Sequence, residues 1–383
     1  MGDWKSSLRG DPTEWLLDFA APSIKYRVLR ELLDKPAVDP DVQKAREEVV
    51  SYQAATKIAR MQKKDGTFGN KIHSSSKQEW EKSMECCLTM LCELGWDRDF
   101  AEIKKAVKVL RQFLKTKIKE INFYEYKKQI RADEPRLHYY RYFFKILALG
   151  LLSRLGFNDD PKIKEGILEI LENVSAFVSD PIAKDPIEKT GAAYPIIRRE
   201  AFRHGFPFIP DYYTLSLFAG NPWLLDGEFA KINLKKIFDY AISDTYQSLG
   251  PAIGLVKTAK GYFAKGWGLE LKGIDFYLKR KSLDYFLHIM EMLAKLGLVN
   301  RYPFLMNNMD WVMSKQQKDG RWIIEIEYFN SGSKWGHFIR LEKDWKSPNR
   351  KIADLTFRIL IILKNQWIRQ IKMLDRHEDS FPI

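Results

Sequence analysis

Residues 311–322 read WVMSKQQKDGRW, in which an apolar helical pattern runs into a Gln-x-x-Asp-Gly-x-aromatic motif. In such a stretch the glutamine can bind exposed backbone groups at a helix end, Asp-Gly can form a turn, and the aromatic ring can pack against a neighbouring element. Residues 62–69, QKKDGTFG, carry the same motif after another helical pattern. Two copies placed between helices predict a fold of repeated helical hairpins.

Two kinds of predicted helix alternate along the chain. Residues 98–119 and the segment after Asp160-Pro161 place their apolar residues on one stripe. The second kind is apolar on most sides and covers residues 82–95, 139–155, 283–297 and 352–363. Helices buried all round are typical of an inner ring and amphipathic helices of an outer ring, so the alternation predicts an all-α fold, an α/α toroid.

The ends of the predicted helices repeat a pattern as well. A lysine followed three residues later by an acid begins inner helices at residues 82–85, 281–284 and 351–354. Glycine, which suits a left-handed helix cap, ends three helices at Gly95, Gly156 and Gly297.

We expect one toroid domain over residues 1–383, interrupted by two irregular insertions. The first lies near residues 179–222 and is rich in proline, and the second lies near residues 250–273 and holds six glycines. Long loops inside a compact repeat fold are more often functional than accidental.

Composition excludes some classes of protein. Hydrophobic residues make up 45% and charged residues 30% of the chain, which indicates a folded domain and not a disordered one. Its apolar runs are too short to span a bilayer and the N-terminus lacks a signal-peptide core, so we expect a cytoplasmic protein. The net charge of +13 fits nucleic acid, an anionic membrane surface or a negatively charged substrate, and equally a solvated basic face without a partner. Nucleic acid is disfavoured because the lysines are spread along amphipathic helices without a nucleic-acid motif.

The two motif copies resemble the QW repeats of squalene and oxidosqualene cyclases and the related repeats of protein prenyltransferase β subunits. The opening, through residues 15–17 and 23–33, and Phe206-Pro207 before Asp211 are similar to bacterial and archaeal squalene-cyclase or prenyltransferase repeat proteins. The resemblance covers most of the chain. It implies a terpenoid-cyclase-like toroid that binds an isoprenoid or other apolar, lipid-like ligand in a central cavity.

The signatures of terpene chemistry are missing from the sequence. Class II cyclases use Asp-x-Asp-Asp and class I synthases use Asp-Asp-x-x-Asp; neither occurs, and Asn158–Pro161 predicts a helix cap instead. Protein prenyltransferases hold zinc through scattered Asp, Cys and His residues, but Cys86, Cys87, Cys92 and the six histidines show no tight metal-ligand spacing. We therefore expect no cofactor and no metal, and whether the chain is an enzyme stays open.

Acids at the starts of predicted inner helices are the first candidate site. Inner N-termini converge at one end of an α/α barrel, where a desolvated carboxylate can act as a general acid or base. Acids also favour first helical turns for the helix dipole alone, so both interpretations stand. The candidates are Glu85, Asp211, Asp284 and Asp354.

The insertions supply candidate ligand-binding residues. Arg198, Arg199, Arg203 and His204 can bind a phosphate or carboxylate, or form salt bridges on a solvated loop. A further set can line the cavity or merely pack. It comprises Tyr262, Phe263 and Trp267 in the second insertion and, outside both insertions, the run from Trp335 to Phe338, which includes His337. With Lys260, Lys265 and Lys272 nearby, the glycine-rich stretch can also make a peripheral contact with an anionic membrane.

Three functions are thus predicted. The first is binding of an apolar or isoprenoid small molecule, with acid–base catalysis as an option. The second is a noncatalytic binding or scaffold toroid. The third is a carbohydrate-active α/α-barrel enzyme, which requires two carboxylates about 5 to 10 Å apart in an open cleft.

Overall fold

The computed structural model of the chain describes residues 4–74, 77–115, 121, 123–124, 134–188, 194–258, 261–329 and 340–378. These ranges are mostly helical with few strands, in agreement with the predicted all-α class. No helix within them is both long and apolar enough to cross a membrane. Tertiary contacts divide the chain into unit 1, which comprises Met1–Lys63, His73–Phe100 and Lys272–Ile383, and unit 2, which comprises Lys64–Ile72 and Ala101–Leu271.

The α-helices of the described ranges vary widely in length. In chain order they are α1 (Thr13–Phe19), α2 (Pro22–Arg27), α3 (Pro40–Ser51), α4 (Gln53–Ala59), α5 (Lys77–Trp80), α6 (Met84–Glu93), α7 (Ala101–Leu110), α8 (Glu134–Leu152), α9 (Pro161–Ser179), α10 (Tyr212–Ala219), α11 (Glu228–Ile242), α12 (Asp244–Gln247), α13 (Ile274–Lys279), α14 (Leu283–Lys295), α15 (Pro303–Ser314) and α16 (Pro348–Glu378). Shorter 3₁₀ or π turns extend some of them, such as Val28–Leu32 after α2.

The core of unit 1 centres on α14 and α16, which pack along each other. Every α14 residue from Leu283 to Ala294 is buried, and so are residues 352–362 of α16. A helix that is apolar on nearly all sides is stable only when neighbours cover it all round. The two helices therefore occupy the interior that the sequence predicts for them.

Unit 2 is a set of packed helices with two small sheets. Helix α9 packs against α11, and α8 packs against α10. One sheet has the strand order β1 (Ile187–Glu188), β2 (Ile196–Ile197), β5 (Leu255–Thr258) and β6 (Gly261–Ala264), and the other pairs β3 (Phe202–Arg203) with β4 (Phe206–Pro207). All six strands lie in the two segments predicted as irregular insertions, so in both segments part of the backbone is paired in short hairpins.

Most of the predicted helix ends are confirmed, but the start predicted at residues 351–354 is wrong, because α16 begins at Pro348 and Asp354 lies beyond its first turn. Asp160 accepts a hydrogen bond from the Lys162 amide, and Pro161 takes the first helical position of α9. The glycines at positions 95, 156 and 297 all have positive φ.

The two copies of the Gln-x-x-Asp-Gly-x-aromatic motif share one turn geometry. Asp65 Oδ1 accepts from the Thr67 amide at 3.0 Å, and Asp319 Oδ1 accepts from the Arg321 amide at 3.1 Å. The following glycines, Gly66 and Gly320, have φ of 87° and 86°. Left-handed backbone of this kind is strained for a residue with a side chain, so glycine is favoured at both places, and the aspartate before it accepts a hydrogen bond within the turn.

The second copy also joins distant parts of unit 1. The Gln316 side chain donates to the Gly320 carbonyl at 3.0 Å and accepts from the Arg9 amide at 3.0 Å. Trp322 is fully buried and its indole donates to the Val312 carbonyl at 2.9 Å. The predicted use of the glutamine to bind backbone groups is confirmed here, and it ties the N-terminal segment to the end of α15.

Candidate functional site

The candidate site lies in unit 2 and is organised around a buried ion pair. Asp211 precedes α10 and caps it, because its Oδ1 accepts from the Thr214 amide at 2.9 Å. Its Oδ2 accepts from Lys265 Nζ at 2.5 Å. The side chains of Asp211 and Lys265 are 4% and 0% exposed. Both oxygens of this carboxylate are engaged by donors, so Asp211 is arranged as an acceptor.

The β5–β6 hairpin delivers Lys265 to this position. Lys265 follows β6 directly, and its amide donates to the Gly254 carbonyl at 2.9 Å. Its own carbonyl accepts from the Tyr139 hydroxyl at 3.3 Å. The amide and the carbonyl of Lys265 are therefore both hydrogen-bonded, and these bonds fix the backbone that carries its ammonium to Asp211.

Aromatic rings surround the ion pair. The Lys265 ammonium lies 5.6 Å from the centre of the Phe206 ring, within range of a cation–π attraction. Tyr139 contacts Phe206 with ring centres 5.0 Å apart and Phe263 with ring centres 4.7 Å apart. We call this set, with the rings that extend it, the aromatic cluster: Tyr139, Tyr142, Phe143, Phe206, Phe208, Tyr213, Phe263 and Trp267.

Three predicted aromatic residues belong to this region and differ in exposure. Tyr262 is 54% exposed, whereas Phe263 is half-buried against Tyr139. Trp267 is also half-buried, has a φ of 63°, and its carbonyl accepts from the Tyr212 amide at 2.8 Å. The glycine-rich stretch is thus anchored to the start of α10, next to Asp211.

Burial keeps the tyrosines of the site neutral. It raises the pKa of Tyr139 well above its usual value, and the negative charge of Asp211 raises it further. Burial likewise raises the pKa of Tyr246, whose hydroxyl donates to the Pro210 carbonyl at 2.7 Å. Both hydroxyls are therefore protonated and donate hydrogen bonds, and that of Tyr246 also accepts from the Leu269 amide at 2.9 Å.

The predicted arginine–histidine set is only partly assembled. Arg198 donates to Asp185 at 2.7 Å, as expected for a salt bridge on a loop. Arg199 is exposed on a 3₁₀ turn. Arg203 and His204 are exposed at the β3–β4 turn, and the His204 ring stacks on Tyr142 at 6.2 Å, which connects this turn to the aromatic cluster.

Unit 1 holds the other three predicted acids, each with its own partners. Glu85 is buried and its Oε2 lies 2.7 Å from Nδ1 of His73. Asp284 is buried at the start of α14, where Oδ1 accepts from the Tyr285 amide at 2.9 Å. The structure pairs each with a neighbour other than the remaining predicted acids.

Asp354 is fully buried, and its hydrogen bonds to described residues hold parts of unit 1 together. It accepts from Arg358 Nε at 3.1 Å, from the Leu341 amide at 3.1 Å and from the Trp345 indole at 2.9 Å. These bonds fix residues 341–345 against α16. The arrangement gives Asp354 the role of an anchor.

Arg358 extends this anchor into a buried ion network. Its Nη1 lies 3.8 Å from Glu93 and 3.7 Å from Glu291, and Arg27 lies 3.0 Å from the same oxygen of Glu93. Burial acts to raise the pKa of Glu291, but Lys295 at 2.7 Å and the two arginines outweigh it and lower that pKa to about 2.

Some predicted residues lie elsewhere. Trp335 and His337 fall outside the described residues. Among the residues that are described, no group of three or more His, Cys, Asp or Glu is arranged to hold a metal ion. The three cysteines are free thiols, and burial raises the pKa of Cys87 to about 12 and that of Cys86 further.

The sequence prediction is wrong for Lys265. The sequence places it with Lys260 and Lys272 as a lysine able to contact a membrane, but its side chain is buried in the ion pair. Alternation in β6 carries the signal: Tyr262 and Ala264 are exposed, so Phe263 and Lys265 share the inward face. If residues 261–264 are assigned to a strand, the same alternation predicts that Lys265 is buried.

Comparison with known proteins identifies no relative of this chain. No protein-family model, curated protein or solved structure matches the chain.

Proposed function

We propose that unit 2 binds an apolar, isoprenoid or lipid-like small molecule against the aromatic cluster, with the Asp211–Lys265 pair as its polar contact. The observation that carries the proposal is the burial of this pair among aromatic rings, beneath a hairpin that brings Tyr262 to the surface. Small-molecule sites are mostly apolar and aromatic, with a few precisely placed polar groups.

Energetics support a role for the pair beyond packing. Removing two charges from water costs several kcal/mol per ion, and hydrophobic residues of similar volume are often as stable or more stable in their place. Asp211 already caps α10 through Oδ1, which does not require a lysine at Oδ2. A polar point held among aromatic rings suits a ligand with an apolar body and one polar end.

The Asp211–Lys265 pair is proposed to bind the ligand and not to catalyse a reaction. A general acid must hold a proton and deliver it to the ligand, but both Asp211 oxygens already accept hydrogen bonds within the protein. A noncatalytic binding protein, the second predicted function, is therefore the form of the proposal that this geometry favours.

The proposal takes the helical hairpins as parts of the α/α toroid that the repeats predict, and the identical turns at Gly66 and Gly320 support that choice. It also places the protein in the cytoplasm, which suits three free thiols in a chain without described disulfides.

Thermal-shift and calorimetric titration with prenyl diphosphates, squalene and fatty acids tests the proposal. We expect one of these classes to raise the Tm of the wild-type protein, and Phe263→Ala to weaken its binding. Phe229→Ala, which removes a 56% exposed ring from α11, is the matched control and should bind as the wild type does. If Phe263→Ala and Phe229→Ala bind equally well, or no class binds, the proposal fails.

A further inference from the structure

The buried ammonium of Lys265 has more hydrogen-bond donors than the described protein uses. A lysine ammonium carries three N–H donors. One donates to Asp211 Oδ2, and a second can point at the Phe206 ring, whose centre lies 5.6 Å from Nζ. Within the ranges that the structure describes, Lys265 Nζ has no other hydrogen-bond acceptor. Buried polar groups are normally paired, so the third N–H is open to an acceptor on a bound molecule.

The neighbouring hydroxyl groups are engaged with backbone atoms. Tyr139 donates to the Lys265 carbonyl at 3.3 Å. Thr214 donates to the Asp211 carbonyl at 2.8 Å and accepts from the Asp211 amide at 2.9 Å. Neither hydroxyl forms a hydrogen bond with Lys265 Nζ. The side chains that could otherwise complete the ammonium are therefore used to hold the backbone around it.

The carboxylate of Asp211 also has acceptor capacity in reserve. Each carboxylate oxygen can accept two hydrogen bonds. Among the described residues, Oδ1 has one donor, the Thr214 amide, and Oδ2 has one donor, Lys265 Nζ. Because Nζ and Oδ2 lie 2.5 Å apart, a ligand oxygen about 2.8 Å from both atoms can accept from the first and donate to the second. A hydroxyl group does both.

The charges of the pair disfavour other polar ends. Asp211 and Lys265 together have no net charge, and both side chains are buried. A carboxylate or diphosphate would bring a second negative group beside Asp211 in the interior, where like charges repel and neither keeps its water. A hydrocarbon would leave the third N–H of Lys265 without an acceptor, and an ether would accept from Lys265 but could not donate to Asp211.

We infer that the polar end of the ligand is an uncharged hydroxyl group, which makes the preferred ligand an apolar alcohol. Its hydroxyl accepts from Lys265 Nζ and donates to Asp211 Oδ2, and its apolar body lies against the aromatic cluster. The inference rests on the proposed function and narrows it to one ligand class. Diphosphates, acids and hydrocarbons of the same chain are then weaker ligands, so the order of affinities tests the inference and binding of any one of them tests the proposed function.

Calorimetric titration of the full chain with four isoprenoids that differ only in their end group tests the inference. The ligands are farnesol, farnesyl methyl ether, farnesene and farnesyl diphosphate. Farnesol should bind the wild-type protein at least about tenfold more tightly than each of the others, because only its hydroxyl pairs both the buried donor and the buried acceptor. This comparison needs no variant, so it does not depend on whether a substitution is tolerated.

Two double variants, checked for folding by circular dichroism, locate the preference. Asp211→Asn/Lys265→Met should bind farnesol and farnesene about equally, whereas Asp239→Asn/Lys235→Met makes the same substitutions in an exposed pair of α11 and should keep the wild-type preference.

The outcomes separate the inference from the proposed function. If the wild-type protein binds farnesene, the methyl ether or the diphosphate as tightly as farnesol, the inference is wrong and apolar-ligand binding stands. If the Asp211→Asn/Lys265→Met variant keeps the full preference, the inference is wrong as well. If none of the four ligands binds, the proposed function fails and the inference fails with it.

Discussion

Replacing Lys265 by methionine tests whether the Asp211–Lys265 pair is as buried and as tightly coupled as the structure shows. Methionine replaces the apolar stem of lysine as far as Cε but removes the ammonium that lies 2.5 Å from Asp211 Oδ2. Breaking a buried pair by removing one partner leaves an uncompensated charge and costs about 3 to 5 kcal/mol. We expect Lys265→Met to lower the free energy of unfolding by that amount.

The double variant Asp211→Asn/Lys265→Met removes both charges and should regain most of the loss. Asparagine at position 211 keeps an oxygen to accept from the Thr214 amide, so the cap of α10 survives. Urea unfolding followed by circular dichroism gives the free energies for this double-mutant cycle. Lys145→Met is the control, since its partner Glu169 is 41% exposed and such a pair contributes about 1 kcal/mol or less. A loss for Lys265→Met no larger than that for Lys145→Met would show that Asp211 and Lys265 do not form a buried, tightly coupled pair.

Three further predictions concern the fold. Gly320→Ala should destabilise by more than about 1 kcal/mol, because its φ is 86° and an added Cβ meets the Gly10 carbonyl, whereas Gly273→Ala has open space and should be neutral in thermal unfolding. Because the pKa of Glu291 is lower in the folded protein than its unfolded value of 4.5, the ionised carboxylate stabilises the folded state at pH values above 4.5, and this contribution should fade as the pH falls towards 2. Glu291→Gln should remove that part of the pH profile of unfolding, and an unchanged profile would contradict the assignment. Cys86 and Cys87 should resist iodoacetamide at pH 8 until urea is added, because burial raises both pKa values, and mass spectrometry of the native protein would contradict this by finding either one alkylated.

Local sequence patterns predicted the helical parts of the fold well. Periodicity identified α14, and the apolar run 352–363 lies within the longer α16, because burial on all sides leaves an unambiguous pattern. The Asp-Gly turns could be predicted because only glycine adopts that backbone without strain. The strands could not, since β1 to β4 have two residues each, too few to show any alternation.

The candidate site was predicted in part. Asp211, Phe263 and Trp267 were selected from sequence and lie in one region of unit 2, but nothing local to any of them names Lys265 as the partner 54 residues away. The sequence predicts Asp354 at a helix start, but it lies beyond the first turn of α16, and its carboxylate accepts hydrogen bonds from Arg358, Leu341 and Trp345. The sequence can indicate that an acid belongs to a helix, but its hydrogen-bond partners depend on tertiary contacts that a local pattern does not contain.

The most direct test of ligand binding in unit 2 is native mass spectrometry of the purified protein, followed by lipid extraction. We expect a stoichiometric apolar molecule, retained by Phe229→Ala and lost from Phe263→Ala. A wild-type spectrum without a ligand, unchanged after incubation with prenyl diphosphates, squalene or fatty acids, would contradict it.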